Sequence, residues 1–186
     1  MRRAVLILVM LFFCFPALAE APVQPEPPVI PDFPVPFVLD IFPEDRLFTV
    51  YTGPDKAYLI GAEGKAKVST NDTIRCYGRT EDCWLLVEYE IGENRSRIGY
   101  INAVAQEELI KGFPLLAFGE TKVQLEDRAE LTDDPYVSRR KLGNIRGEVT
   151  VLAKLVTDWV YVEAEWKNQP VRGFVRPEAL PIAEEP

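Results

Sequence analysis

The sequence predicts an all-β fold of two tandem small barrels, preceded by a signal peptide and a proline-rich linker. Two observations carry that expectation. Beyond Arg46 no stretch keeps helical periodicity for more than about two turns, while short runs rich in β-branched and aromatic residues recur between turn signals. Three of those runs also repeat. Thr73-Ile74-Arg75-Cys76 is answered by Glu148-Val149-Thr150-Val151, Trp84-Leu85-Leu86-Val87-Glu88 by Trp159-Val160-Tyr161-Val162-Glu163, and Arg97-Ile98-Gly99-Tyr100-Ile101 by Arg172-Gly173-Phe174-Val175. A near-constant offset of about 75 residues marks a duplicated unit.

In chain order, residues 1–19 read as a secretory signal. Arg2 and Arg3 are the charged start, 4–15 the apolar run, and Ala17-Leu18-Ala19 a small-x-small cleavage site. The apolar run is shorter than the ~20 residues that span a bilayer, so no membrane insertion is expected after cleavage. Phe13 stands before Cys14 where a lipoprotein signal needs a small residue, so no lipid is expected either.

Residues 20–45 carry Pro22, Pro25, Pro27, Pro28, Pro31, Pro34, Pro36 and Pro43, a density that favours extended polyproline II over helix or sheet. The segment reads as a stalk rather than a ligand for an aromatic groove. Phe33, Phe37, Val38, Ile41 and Phe42 do not suit full solvation, which predicts that its last third packs on the first domain.

The first domain, 46–110, holds candidate strands at 48–51, 73–77, 84–90 and 98–101, then a short helical connector at 103–110. The second, 111–186, holds strands at 122–125, 149–153, 159–165 and 173–175 and ends in a short acidic tail. Alternation sends Trp84 and Val87 to opposite faces, so the valine fills the barrel and the indole lies outside it. Gly99 and Gly173 fit places where a strand passes too close to its neighbour for a Cβ. Between the domains, Gly112, Phe113, Pro114, Leu115, Leu116 and Phe118 are too apolar for a flexible linker and should pack between the units.

Composition narrows the function. The 186 residues contain no histidine, which removes the commonest general base, the commonest metal ligand and the usual partner of a Ser or Cys nucleophile. No cofactor or metal constellation is visible. Losing Arg2 and Arg3 takes the net charge from −8 to −10, and the flanks at 20–45 and 181–186 hold most of it, with acids and no base. Neither they nor the central region offers the Lys/Arg stripe that nucleic acid or anionic lipid requires.

In order and spacing the repeated blocks resemble bacterial SH3-like domains, with an Arg-x-Gly-Pro turn, a Val-x-Val strand, a Trp-x-x-Val strand and a Gly-Trp-Val strand. Here these stand as Val50-Tyr51-Thr52-Gly53-Pro54, Ile74-Arg75-Cys76, Trp84-Leu85-Leu86-Val87 and Gly99-Tyr100-Ile101. They recur as Asp133-Asp134-Pro135, Val149-Thr150-Val151, Trp159-Val160-Tyr161-Val162 and Gly173-Phe174-Val175. The resemblance implies two SH3-like barrels in a secreted, non-catalytic protein, possessing a groove for peptidoglycan peptide or another extracytoplasmic protein. No catalytic domain is expected beside them.

The expected ligand-binding residues are Tyr51, Gly53, Pro54, Trp84, Tyr89 and Tyr100, in the first copy. That copy keeps the Gly-Pro turn, and its next loop is six residues longer than in the second. An aromatic groove is one reading of these rings and an inter-repeat seam is the other. The corresponding functions are a peptide-binding module and a structural scaffold, with a hydrolase last. Cys76 and Cys83 bracket a hairpin loop in an exported chain, where a disulfide is expected. Two free thiols are the alternative, and a redox dithiol is disfavoured because the spacing is not Cys-x-x-Cys. Glu88, Glu90, Asp133 and Asp134 read as strand-face and turn residues rather than paired catalytic carboxylates.

Overall fold

The computed structural model describes residues 29–42, 45–92, 95–136, 141–156 and 158–181. The expected signal peptide, the start of the proline-rich segment and the acidic tail lie outside them. The described chain is all-β, as the sequence predicts, and its sheets are antiparallel. In order it forms β1 (Phe37–Val38), β2 (Leu47–Thr49), a one-turn helix α1 (Gly61–Gly64), β3 (Lys67–Ser69), β4 (Ile74–Arg79), β5 (Trp84–Gly92) and β6 (Arg95–Asn102). The connector helix α2 (Glu107–Ile110) follows, then β7 (Thr121–Thr132), β8 (Lys141–Leu155), β9 (Trp159–Trp166) and β10 (Gln169–Val175). β10, β7, β8 and β9 close into a barrel, whereas the first unit comprises a four-stranded sheet, β1-β4-β5-β6, and a ribbon, β2-β3.

The two units share one topology that the second draws with fewer breaks. β7 does the work of β1 and β2, and β8 that of β3 and β4. Phe37 and Val38 pair with Cys76 and Arg75 as Thr121 and Lys122 pair with Val151 and Thr150, and the β2–β3 ribbon, Leu47–Thr49 against Lys67–Ser69, stands where the far ends of β7 and β8 pair. The second unit keeps β8 continuous past this corner with a bulge and with Gly147 at a φ of 94°, a left-handed conformation that glycine adopts without a Cβ clash. The first unit instead breaks at a turn in which Ser69 N–H donates to Asp72 Oδ2.

One strand pair closes the second unit's barrel, and an isolated bridge stands at the corresponding place in the first. Tyr51 and Tyr100 exchange backbone hydrogen bonds of 2.8 and 2.7 Å, and Thr132 pairs with Phe174. The glycine before each aromatic residue is there for space. A Cβ at Gly99 would lie 2.9 Å from the Tyr51 carbonyl oxygen, and one at Gly173 would lie 2.7 Å from that of Thr132.

The proline-rich segment does more than pack on the first domain. Phe37–Val38 is the edge strand of the first sheet, while Ile30 joins the core of the second unit. Phe33 N–H donates to the Lys154 carbonyl and Lys154 N–H to that of Pro31. The inter-unit segment mirrors this on the first unit, since Leu116 N–H donates to the Arg79 carbonyl and Arg79 N–H to that of Pro114. Each unit's leading segment therefore crosses to the other unit.

Three apolar clusters result. One fills the second barrel around Val151, Val162 and Val171, and one fills the first unit around Val68, Leu85 and Val87. The third lies between the units around Phe33, Tyr77, Trp84, Tyr100, Tyr161 and Phe174. β5 is buried on both faces, which is why Trp84-Leu85-Leu86-Val87 reads as a continuous apolar run.

The expected disulfide is absent: Cys76 and Cys83 are buried free thiols. Cys76 stands opposite Val87 in the register, four residues beyond Cys83. At about 3.3 Å per residue that offset is about 13 Å, well beyond the ~7 Å between Cα atoms that a disulfide spans.

Candidate functional site

Alternation along β5 and β6 decides where three of the six residues singled out from sequence fall. Trp84 and Tyr100 point into the layer between the units and are 5% and 0% exposed. Tyr51 meets Trp84 edge to face at 5.4 Å between ring centroids. Tyr89 points the other way, into the first unit's core. Gly53 is buried under the Tyr58 ring, where a Cβ would overlap the ring carbons, and Pro54 follows it, half-buried, in the loop flanking the layer. Three of the six thus come together, as the wall of a sealed seam.

The second unit contributes the matching residues. Tyr161 and Phe174 pack with ring centroids 4.8 Å apart and planes tilted by 38°, and Phe33 reaches Tyr77, Tyr161 and Phe174. Trp159, the partner of Trp84 in the repeat, packs against the same cluster, and the Arg176 guanidinium lies 4.0 Å from its ring.

A polar network rims the rings. Arg172 Nε donates to Glu163 Oε2 at 2.6 Å and Arg172 Nη1 to the Tyr100 hydroxyl at 3.0 Å. The Tyr58 hydroxyl donates to the same Glu163 oxygen at 2.7 Å. Arg97 forms an ion pair with Asp133 of the other unit at 3.4 Å, and the Tyr77 hydroxyl donates to Glu88 Oε2 at 2.7 Å. Sequence reasoning did not assign these residues to a site, yet a signal was present. Glu88 and Glu163 occupy equivalent places in the repeated blocks, and an arginine stands just ahead of each close-approach glycine, two residues before Gly99 and one before Gly173.

Burial first, and then the hydrogen bond to Glu163, push the Tyr58 phenol up to about 12. Burial, then the Asp133 charge, does the same to Tyr89. Burial lifts the Cys76 thiol to about 11, the opposite of the low value that makes a thiol nucleophilic. These groups keep their protons at neutral pH. Among the described residues no cluster of three His, Cys, Asp or Glu could hold a metal. No described helix is long and apolar enough to cross a membrane.

The chain matches no family model, and no curated protein or solved structure matches it.

Proposed function

We propose that this chain is a non-catalytic exported scaffold: two SH3-like barrels joined face to face, offering a rigid outer surface to an extracytoplasmic protein partner. The observation that carries this reading is the burial of Trp84 and Tyr100 against the second unit. Rings that would line a peptide groove in a single barrel are used here to hold two barrels together. A buried aromatic seam of this kind makes one body of two small units, each near the lower size limit for folding alone.

A sedimentation assay with peptidoglycan sacculi and free stem peptides tests the choice between scaffold and groove. Wild type and Trp84→Ala should both remain in the supernatant. Retention of the wild type that disappears in folded Trp84→Ala would restore the groove reading. Mass spectrometry of exported protein should find Glu20 at the N-terminus.

A further inference from the structure

At one end of the second barrel the strands part. β8 pairs with β9 only from Thr150 onward, opposite Glu163, so residues 141–149 have a strand partner on the β7 side alone. β9 runs on to Trp166, pairs with β10 and turns through Lys167 and Asn168, at φ of 53° and 61°. Between the parted strands lies an open cleft of about 860 Å³ lined by Arg128, Lys141, Asn144, Arg146, Trp166 and Lys167.

Its chemistry is unlike the rest of the molecule. In a chain of net charge −8, four cations surround one half-buried indole. Glu130 lies 3.7 Å from Lys141, while Arg128, Arg146 and Lys167 have no carboxylate partner among the described residues. The Trp166 ring is seated on Gly143, where a Cβ would lie 2.4 Å from it, and the Lys167 ammonium is 4.0 Å from the ring centroid. The matching corner of the first unit is closed by its own side chains. There Arg46 N–H donates to Thr70 Oγ1, and Asn71 Nδ2 donates to Asp45 Oδ1.

We propose that this cleft docks an extended acidic peptide segment of a partner protein. The peptide adds as a strand along the open edge at 141–147. Its carboxylates meet Arg128, Arg146 and Lys167, and a side chain rests on the Trp166 ring. The charges select an anion. The open edge selects a peptide over other anions, because alternate backbone N–H and C=O groups of such an edge point outward and strand addition satisfies them. The proposal goes beyond the scaffold reading and uses a different surface, so either can fail alone.

The probe is a fluorescein-labelled eight-residue peptide of alternating Glu and Val, titrated into the full chain by anisotropy. Binding should saturate, and the Lys-Val counterpart should not bind. Arg146→Glu with Lys167→Glu, both exposed positions, should weaken affinity by at least about tenfold, as loss of close charge pairs does. Trp166→Ala should weaken it about fivefold or more. The same acidic peptide N-methylated at alternate residues should fail to bind, and amide shifts should cluster at 141–147. Absence of saturation overturns the proposal. So does equal binding of the N-methylated peptide, or preference for inorganic polyphosphate, either of which would make the cleft a site for anions in general. Retention on sacculi with the acidic-peptide result intact would overturn the scaffold reading alone.

Discussion

At position 99 a methyl group has nowhere to go, because its carbon would lie 2.5 Å from Val50 Cγ1 and 2.9 Å from the Tyr51 carbonyl oxygen. Gly99→Ala, and Gly173→Ala in the second unit, should each cost about 2 kcal/mol or more in denaturant unfolding, since backbone must move to relieve the overlap. Gly112→Ala, with open space around it, should stay within about 0.5 kcal/mol and serves as the control. The buried phenols predict a second residue-level effect. Tyr58 and Tyr89, raised to about 12, keep in the folded state protons that the unfolded chain loses near pH 10. Stability is therefore whole below about pH 10 and falls as pH rises toward about 12, and Tyr89 alone contributes on the order of 2 kcal/mol. Guanidinium midpoints at rising pH, read beside tyrosinate absorbance, check this. Tyrosinate absorbance near pH 10 in the folded protein that disappears in Tyr58→Phe or Tyr89→Phe would contradict it.

At the scale of elements, the β4–β5 hairpin and the strap at 29–42 carry the next expectations. Cys76 and Cys83 are interior and unpaired, so a reductant should leave the thermal midpoint unchanged and a thiol reagent should label neither until the protein unfolds. Labelling that appears only after reduction would reveal the bridge that the register forbids. Phe33 is the strap's anchor, at 7% exposure among four aromatic neighbours. Phe33→Ala should cost about 3–5 kcal/mol, the range for a large buried ring, and should lower a single unfolding transition rather than split it. The strap also shows what composition hides. Phe37–Val38 is a sheet edge, a place that tolerates neighbouring prolines, but two residues among so many prolines give no periodicity to read.

Across the whole molecule the duplicated blocks were the most legible feature, because Trp-x-x-Val alternation and the two close-approach glycines are local constraints that leave a local trace. The strands at 84–90, 98–101 and 159–165 fall within those observed. β1 and β3 were missed because elements of two or three residues owe their existence to partners far along the chain. One longer signal stood unread: Glu44-Asp45-Arg46 recurs as Glu126-Asp127-Arg128, which would have aligned β2 with the end of β7. Of the candidate site, the rings were legible and their destination was not, since alternation tells which side of a strand a ring takes but not what covers that side. The cysteine distance was illegible for a related reason: it depends on where the hairpin turns.

The crossed straps also set an order of events. Residues 31–33 find their strand partner only when Lys154 is present, more than a hundred residues later, whereas 114–116 meet Arg79 much sooner. Contacts so remote in sequence form slowly, because a long loop must close before they return any free energy. A chain that leaves the ribosome from its N-terminus thus emerges with its anchor phenylalanine unoccupied, and holds it so until Lys154 has followed. The first part of the described fold to be made waits longest for its strand partner.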